Sequence, residues 1–322
     1  MRIVHFVLSK NFSGIEQHVN ELIENNMKNE CILVCNQSIA KKFNKNINKK
    51  IIKNYGRYSL FGMHTLKKLF SQINPDIVHT HGSKTTRFIS SIGKKRFKHV
   101  ATIHGVKKVL RSYEKSDLII GVSKTVVRNI TNKIEIIHNW YHPNLKKFKQ
   151  KSSDYALAIG RLEKVKGFDL LIKSWKNINR NLKIIGSGSE KNQLNRLIRK
   201  YKLENKIEIY DCVNREKLIN FYEGASVLII PSRNEGGPRV ALEALYLGIP
   251  VLSTDVGHMD EILPKEFLAK KNDLESLKHL LNEYVDKISY VNQAAIFKHV
   301  SESYSIESKI KQINDAYKNL VA

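Results

Sequence analysis

From Arg2 onward the chain alternates short runs rich in Ile and Val with segments of helical period, and the alternation restarts once, after Lys151. The runs RIVHFVLS, ECILVCN, DIVHTH, HVATIHG, LIIGVS and IEIIHN fill the first half; YALAIG, LKIIGSG, KIEIYD, ASVLIIPS and IPVLSTD fill the second. Near-continuous apolar strands separated by helices are what a parallel sheet covered on both faces requires. Two such patterns in 322 residues predict an α/β chain of two Rossmann-like, doubly wound domains. Asn139 to Asp154, NWYHPNLKKFKQKSSD, has no periodicity and collects Pro, Lys and Ser, so the linker is expected there. Ligands of doubly wound sheets bind beyond the carboxyl ends of the strands. Two facing sheets would put that site in a central cleft.

Charge is distributed unevenly. The net charge is +25, and residues 1–150 hold 28 Lys and Arg against 8 Asp and Glu, while residues 151–322 hold 27 against 22. The excess in the first half implies an anionic partner, nucleic acid or an anionic membrane surface, or else a Lys-rich composition whose lysines are simply solvated. No zinc-finger spacing, RNP-type aromatic segment or basic zipper is present, which argues against nucleic acid. Cys31, Cys35 and Cys212 are odd in number and form no CxxC pair, so neither a disulfide framework nor a zinc site is supported. The start, MRIVHFVLS, reads as a strand rather than a signal peptide, and no apolar run approaches the roughly 20 residues that span a bilayer. A cytoplasmic chain is expected. Arg57 to Ile73, RYSLFGMHTLKKLFSQI, sets Leu60, Phe61, Leu66, Leu69, Phe70 and Ile73 beside Lys67 and Lys68. That pattern is either a basic amphipathic helix on a membrane or an ordinary core-facing helix.

Three loops of the second half ask for an anion or a polyol. In AIGRLEKVKGFDLLIKSW a strand ends at Gly160 and a loop with Arg161 and Lys166 leads into a helix near Gly167. A cationic loop at a helix amino terminus favours phosphate. LKIIGSGSEKNQLNRLI repeats the design, with Gly186 and Gly188 at the strand-to-helix turn. The third loop, in VLIIPSRNEGGPRVALEALYLGIPVLSTDVG, holds Glu235, Gly236 and Gly237 before a helix opened by Pro238. That helix is apolar from Val240 to Leu247 except for Glu243. A buried carboxylate needs partners: either a nearby Arg or cap, or the hydroxyls of a vicinal diol. Two carboxylates for hydroxyls and two cations for phosphates imply a nucleotide sugar.

With GRLEKVKGFDLLI, IIGSGSE, PSRNEGGPRVALEALYLGIPVLSTDVG and the pair Glu235 and Glu243, seven residues between them, the chain resembles the retaining GT-B glycosyltransferases, specifically glycosyltransferase family 4 (glycosyl transferases group 1). The resemblance implies a GT-B fold of two Rossmann-like domains facing a cleft. Its domains would be an acceptor-binding domain over 1–145, a nucleotide-sugar-binding domain over 146–300 and a C-terminal helix over 301–322 that crosses back. Arg161 and Lys166 would grip the donor diphosphate, Glu235 the donor sugar near the reacting carbon, and Glu243 the ribose. Gly236, Gly237 and Pro238 would lie against sugar and phosphate, and Gly186 and Gly188 would line the nucleotide pocket. In the first half, SKNFSGIEQHVNEL would place Gly14 beside the diphosphate or acceptor, and TIHG nominates His104 for the donor sugar. HTHG sets His79 and His81 on one strand face, as a metal site might. The resemblance implies instead that no metal is needed and that His81, with His18, lines the acceptor side. Departures fall at Asn139-Trp140, at Cys212 and at His258, positions where the family pattern carries glycine.

The expected reaction is transfer of a sugar from a UDP-sugar or GDP-sugar to an acceptor hydroxyl with retention, a front-face step closed off from water. A double displacement would need two carboxyl groups about 5 Å apart around the scissile bond, and only Glu235 is assigned to the sugar. The acceptor would be a glycan or lipid-linked molecule of lipopolysaccharide, capsule or other cell-surface glycan synthesis at the cytoplasmic face. The alternatives are a sugar phosphorylase or epimerase of the same architecture, or a basic nucleic-acid binder.

Overall fold

A computed structural model describes residues 1–148 and 154–322. The chain divides into two compact units, Met1–His138 with Ile306–Ala322, and Asn139–Ser305. Part of the segment expected as a linker, residues 149–153, lies outside the described residues.

The first unit is a seven-stranded parallel sheet. Its strands are β1 (Arg2–Phe6), β2 (Glu30–Asn36), β3 (Asn48–Ile52), β4 (Ile77–His81), β5 (Lys98–Ile103), β6 (Leu118–Gly121) and β7 (Ile134–Ile136), in the order β3-β2-β1-β4-β5-β6-β7. Alternate residues of each strand serve opposite faces. Val4, Phe6, Ile32 and Val34 pack with Leu66, Phe70 and Ile73 of the helix Leu60–Ile73, while Leu33 and Cys35 pack with Val19 and Ile23 of the helix Gly14–Asn25. The helix Ile306–Val321 belongs to this unit and buries Ile306, Ile310, Ile313 and Tyr317. Its Asn314 accepts hydrogen bonds from Asn26 and Asn29 at 3.1 and 2.8 Å.

The second unit repeats the topology with six parallel strands: β8 (Tyr155–Ile159), β9 (Asn181–Ile185), β10 (Ile207–Tyr210), β11 (Ala225–Ile230), β12 (Val251–Thr254) and β13 (Leu268–Ala269), in the order β10-β9-β8-β11-β12-β13. Both sheets therefore run outward from a central strand, β1 or β8, and reverse direction there. In each, the crevice beyond the carboxyl end of that strand is where a ligand is admitted.

Two strands have no counterpart in the sequence reading. β3 is Asn-Lys-Lys-Ile-Ile, an edge strand whose side chains are mostly exposed, so its apolar content is low. β13 is two residues long. Edge strands need no second neighbour, so neither carries the Ile- and Val-rich run by which the others are recognised. The amphipathic helix Leu60–Ile73 is core-facing through Leu66, Phe70 and Ile73, while Leu60 and Phe61 at its start stay exposed. No helix among the described residues is long and apolar enough to cross a membrane.

Candidate active site

In the second unit the loop after β8 and the loop after β11 are pressed together at the reversal point. The first runs from Gly160 through the 3-10 turn Lys164–Lys166 to Gly167, ahead of the helix Phe168–Ser174. Gly167 has a φ of 69°, and a Cβ there would stand 1.9 Å from the carbonyl oxygen of Pro231. Only glycine permits both the conformation and the approach. Arg233 stitches the loops: its backbone N–H donates to the Val165 carbonyl at 2.8 Å, Nη1 to the Lys164 carbonyl at 2.8 Å, and its guanidinium to both Asp169 oxygens at 2.6 and 2.9 Å. Burial pushes the Asp169 carboxyl up, but hydrogen bonds from Arg233 and Lys164 outweigh it and hold the group at about 2. A two-pronged guanidinium contact of this kind fixes orientation as well as charge.

That frame sets Lys166 and Glu235 side by side. The Lys166 ammonium pairs with Glu235 Oε1, which also accepts from Ser232 Oγ at 2.9 Å. Ser232 is held in turn, its carbonyl accepting from Thr254 Oγ1 at 2.6 Å. Arg161 is exposed on the same loop. One carboxylate thus stands paired with one cation at the carboxyl edge of β8 and β11, with Arg161 on the same loop as Lys166.

Gly186 and Gly188 sit against that loop. A Cβ on Gly186 would lie 1.8 Å from the Gly160 carbonyl oxygen, and one on Gly188 2.4 Å from that of Leu162. The Leu162 N–H donates to the Ser187 carbonyl at 2.9 Å, and the Glu190 N–H to the Leu162 carbonyl at 2.9 Å. Their structural task is to let the turn after β9 support the loop that presents Arg161.

The segment Gly236 to Pro238 leads into the helix Arg239–Tyr246. The Gly237 carbonyl accepts from Asn139 Nδ2 at 2.8 Å, a Cβ on Gly237 would stand 2.6 Å from His258 Nδ1, and Arg239 Nε donates to the Trp140 carbonyl at 3.1 Å. Asn139, Trp140 and His258, noted in the sequence only as departures, are therefore what shapes the glycine loop. No local pattern marks them, because each partner lies about a hundred or about twenty residues away. Glu243 is 2% exposed, and its two oxygens accept from Arg215 Nη1 and Tyr222 Oη, both at 3.0 Å. The partner that its burial demanded is thus supplied within the unit.

The first unit gathers a histidine cluster at the carboxyl ends of β1, β4 and β5. His5 is in register with His79, and His81 with Thr102. His5 Nδ1 lies 3.2 Å from His81 Nε2, and His81 Nδ1 lies 3.2 Å from His104 Nε2. His18, one turn beyond Gly14 on the helix Gly14–Asn25, meets His104 edge to face with ring centroids 4.7 Å apart. His79 is engaged at both nitrogens, by Tyr317 Oη and Thr102 Oγ1, each at 2.6 Å. Burial pushes His5 down to about 3; burial, then the charge of Lys107, holds His104 at about 3. His79 and His81 lie well below the usual histidine range through burial and the imidazoles around them. His5, His79, His81 and His104 are therefore neutral at physiological pH. Gly14, His18, His81 and His104 thus share one neighbourhood in the first unit; Arg161, Lys166, Glu235 and the glycines share another in the second. Three-nitrogen sets able to hold a metal ion are His5, His79, His81 and His18, His81, His104, the ligand atoms of each within 4.8 Å of one another.

Comparison with known proteins agrees with this architecture. The family model Glycosyltransferase Family 4 matches residues 12–145, and Glycosyl transferases group 1 matches residues 144–295. An uncharacterized glycosyltransferase of Methanocaldococcus jannaschii is 27% identical over 241 residues, which is 68% of this chain and 68% of that protein. The Anabaena protein HepE, solved with UDP and glucose, superimposes with a TM-score of 0.81 at 15% identity over 99% of this chain and 100% of that one. The lipopolysaccharide outer core galactosyltransferase WaaB, in its apo form, gives 0.79 at 20% identity over 99% of each chain. With two Rossmann-like sheets of the same strand order and two family matches that together run from residue 12 to residue 295, the chain belongs to the GT-B glycosyltransferases of family 4.

Proposed function

We propose that this glycosyltransferase moves a hexose from a UDP-sugar or GDP-sugar to an acceptor hydroxyl with retention of configuration, in the synthesis of lipopolysaccharide, capsule or another cell-surface glycan. The observation that carries the reading is the Lys166–Glu235 pair at the carboxyl edge of β8 and β11, on whose first loop Arg161 also lies. A salt bridge there is a placeholder. A bound diphosphate attracts the Lys166 ammonium and the Arg161 guanidinium, and Glu235 is released to accept hydrogen bonds from the sugar hydroxyls. Both cations then stabilise the charge that gathers on the leaving phosphate. Neutralisation by Arg and Lys leaves no task for magnesium or manganese at the diphosphate.

Retention through a covalent sugar intermediate would need a second carboxyl group about 5 Å from the first, across the sugar. Glu243 is engaged by Arg215 and Tyr222, so Glu235 is left alone. A front-face displacement, in which the departing phosphate oxygen takes the acceptor proton, fits one carboxylate. HepE holds UDP and glucose, and WaaB acts in lipopolysaccharide outer core synthesis; both support the substrate classes. Gly14, His18, His81 and His104 are assigned to the acceptor and donor sugar, Gly186, Gly188, Gly236, Gly237 and Pro238 to the nucleotide and diphosphate, and Glu243 to the ribose. The basic first unit would bring the enzyme to the cytoplasmic face of an anionic membrane rather than to nucleic acid.

Thermal-shift titration with UDP, GDP and ADP should show stabilisation by one of the first two, since ligand binding raises the melting temperature by mass action. Glu235→Ala and Lys166→Ala should each abolish transfer while melting like the parent, and near-parental turnover in either would refute the assignment. NMR of the product linkage reads retention directly.

A further inference from the structure

We infer that the first unit binds a phosphate group of its own, in a cationic pocket at the amino edge of β4 and β5, the opposite edge from His81 and His104. Sugar transfer does not call for such a site, and it stands on the first unit's own residues.

The cavity has about 240 Å³ and lies where the helix Leu60–Ile73 and the helix Ser83–Ser91 end and the chain turns into β4 and β5. β4 has five residues, so at about 3.3 Å per residue the pocket is roughly 16 Å from the histidines at the other end of the strand. Pockets for whole drug-sized ligands run to about 300–1,000 Å³, so this one suits a charged group rather than a nucleotide sugar. Phe70 and Phe97 give it an apolar lining, their rings edge to face with centroids 5.7 Å apart. Lys67, Lys94, Lys95 and Arg96 give it charge, and no acidic residue lines it.

Four cations around one small cavity repel one another unless something offsets them. Lysines and arginines near the carboxyl ends of helices ordinarily serve the last carbonyls. Here the Ile73 carbonyl accepts from Arg2 Nη1 at 3.0 Å. Among the described residues none of the four cationic heads donates a hydrogen bond or stands within ion-pair distance of a carboxylate. The acids that could have answered them are engaged. Asp76, the one acid between Glu30 and Glu114, accepts from the Arg2 N–H at 2.7 Å, and Asp117 accepts from the His99 N–H at 2.6 Å. Burial pulls the Lys95 ammonium below the usual lysine range, and the charge of Asp117 offsets this only in part.

A phosphate monoester has the charge and the acceptors that this pocket lacks, about −1.5 to −2 and three oxygens. Arg96 adds the forked donor geometry that takes such oxygens in pairs. The aromatic lining accommodates the carbons that carry the phosphate. A soluble phosphomonoester and the headgroup of phosphatidic acid present the same group.

The test uses the full chain in phosphate-free buffer. Calorimetric titration with glycerol 3-phosphate, with glycerol as the neutral control, reads the soluble source. Co-sedimentation with phosphatidic acid vesicles, against phosphatidylcholine vesicles, reads the lipid source. At least one of the two phosphate probes should bind, and glycerol should not. Lys94→Ala with Arg96→Ala, both on exposed residues, should weaken that binding at least tenfold and melt like the parent. Lys95→Gln should weaken it in the same direction. Lys41→Ala with Lys42→Ala removes the same charge from exposed lysines elsewhere in the unit and should leave binding unaltered. Equal losses in the two double variants would mean that net charge alone draws the anion, and would overturn the pocket; so would the absence of binding to either phosphate probe. Neither probe contains a nucleotide, so a negative result here leaves the sugar-transfer reading standing.

Discussion

Glu243 lies in the buried stretch Ala241–Leu245 of the helix Arg239–Tyr246, and the unit meets the cost of burying its carboxylate with two donors. Hydrogen bonds to a charged group are worth about 1.5–3 kcal/mol, so Tyr222→Phe should destabilise the second unit by about that amount, read from urea unfolding. Glu243→Gln separates the two roles the residue has been given. If the carboxylate holds a ribose as well as Arg215, the donor KM rises several-fold with little change in kcat; a drop in melting temperature with an unchanged KM would reduce Glu243 to a structural anchor. The anomaly itself was legible in the sequence, as one acid in an apolar helix. Its partners were not, because Arg215 and Tyr222 lie 28 and 21 residues away and are brought in only by the packing of the helix Arg215–Glu223. Lys166 and Glu235 were both legible, but their pairing, and Arg233 with Asp169 behind it, was not, for the same reason.

At the scale of elements, strands buried on both faces announced themselves through runs such as ASVLII, every residue of which is buried in β11. β3 and β13 did not, since an edge strand of Asn and Lys has the composition of a loop. The helix Leu60–Ile73 shows a third case, core-facing over its later turns and exposed at its start. Leu66, Phe70 and Ile73 are sealed into the core, yet Leu60 is 76% and Phe61 70% exposed, next to an equally exposed Tyr58 whose ring carries the Arg87 guanidinium 4.2 Å from its centroid. Exposed large apolar residues beside Lys67 and Lys68 are what a peripheral membrane contact uses: apolar insertion with lysines on anionic headgroups. Leu60→Ser with Phe61→Ser should reduce co-sedimentation with phosphatidylglycerol vesicles severalfold at low salt and leave the melting temperature within a degree or two, because neither side chain contributes to the core. Equal sedimentation of parent and double variant would reject this helix as the contact.

Over the whole molecule, the two units share a topology but not a charge or a titration. Their common doubly wound, parallel character was readable from the restart of the Ile and Val alternation, whereas the clustering of histidines was not: His5, His18, His79, His81 and His104 are scattered over a hundred residues and meet only through the β1-β4-β5 neighbourhood. That neighbourhood sets how the protein responds to acid. His5, His99 and His104 are held at about 3 in the folded chain, chiefly by burial, against an ordinary value of 6.5. Their folded state binds fewer protons than the unfolded chain between those two values, so stability falls as the pH drops below about 6.5 and goes on falling towards 3. Each such group contributes a slope of about 1.4 kcal/mol per pH unit. Three of them acting together would consume a typical domain stability of 5–15 kcal/mol within roughly one to four pH units. The second unit is built differently. Its perturbed Asp169 is depressed from 3.8 to about 2, so the stability it supplies is fully present above 3.8 and is lost only as the pH falls through that window towards 2. Acid should therefore unfold the first unit before the second. Hydrogen exchange measured at pH 7.5, 6, 5 and 4 should show amides of β1, β4 and β5 losing protection by pH 5, while those of β8, β11 and β12 remain protected at pH 4. Simultaneous loss of protection in both sheets would mean that the buried histidines do not govern the acid limit of this fold.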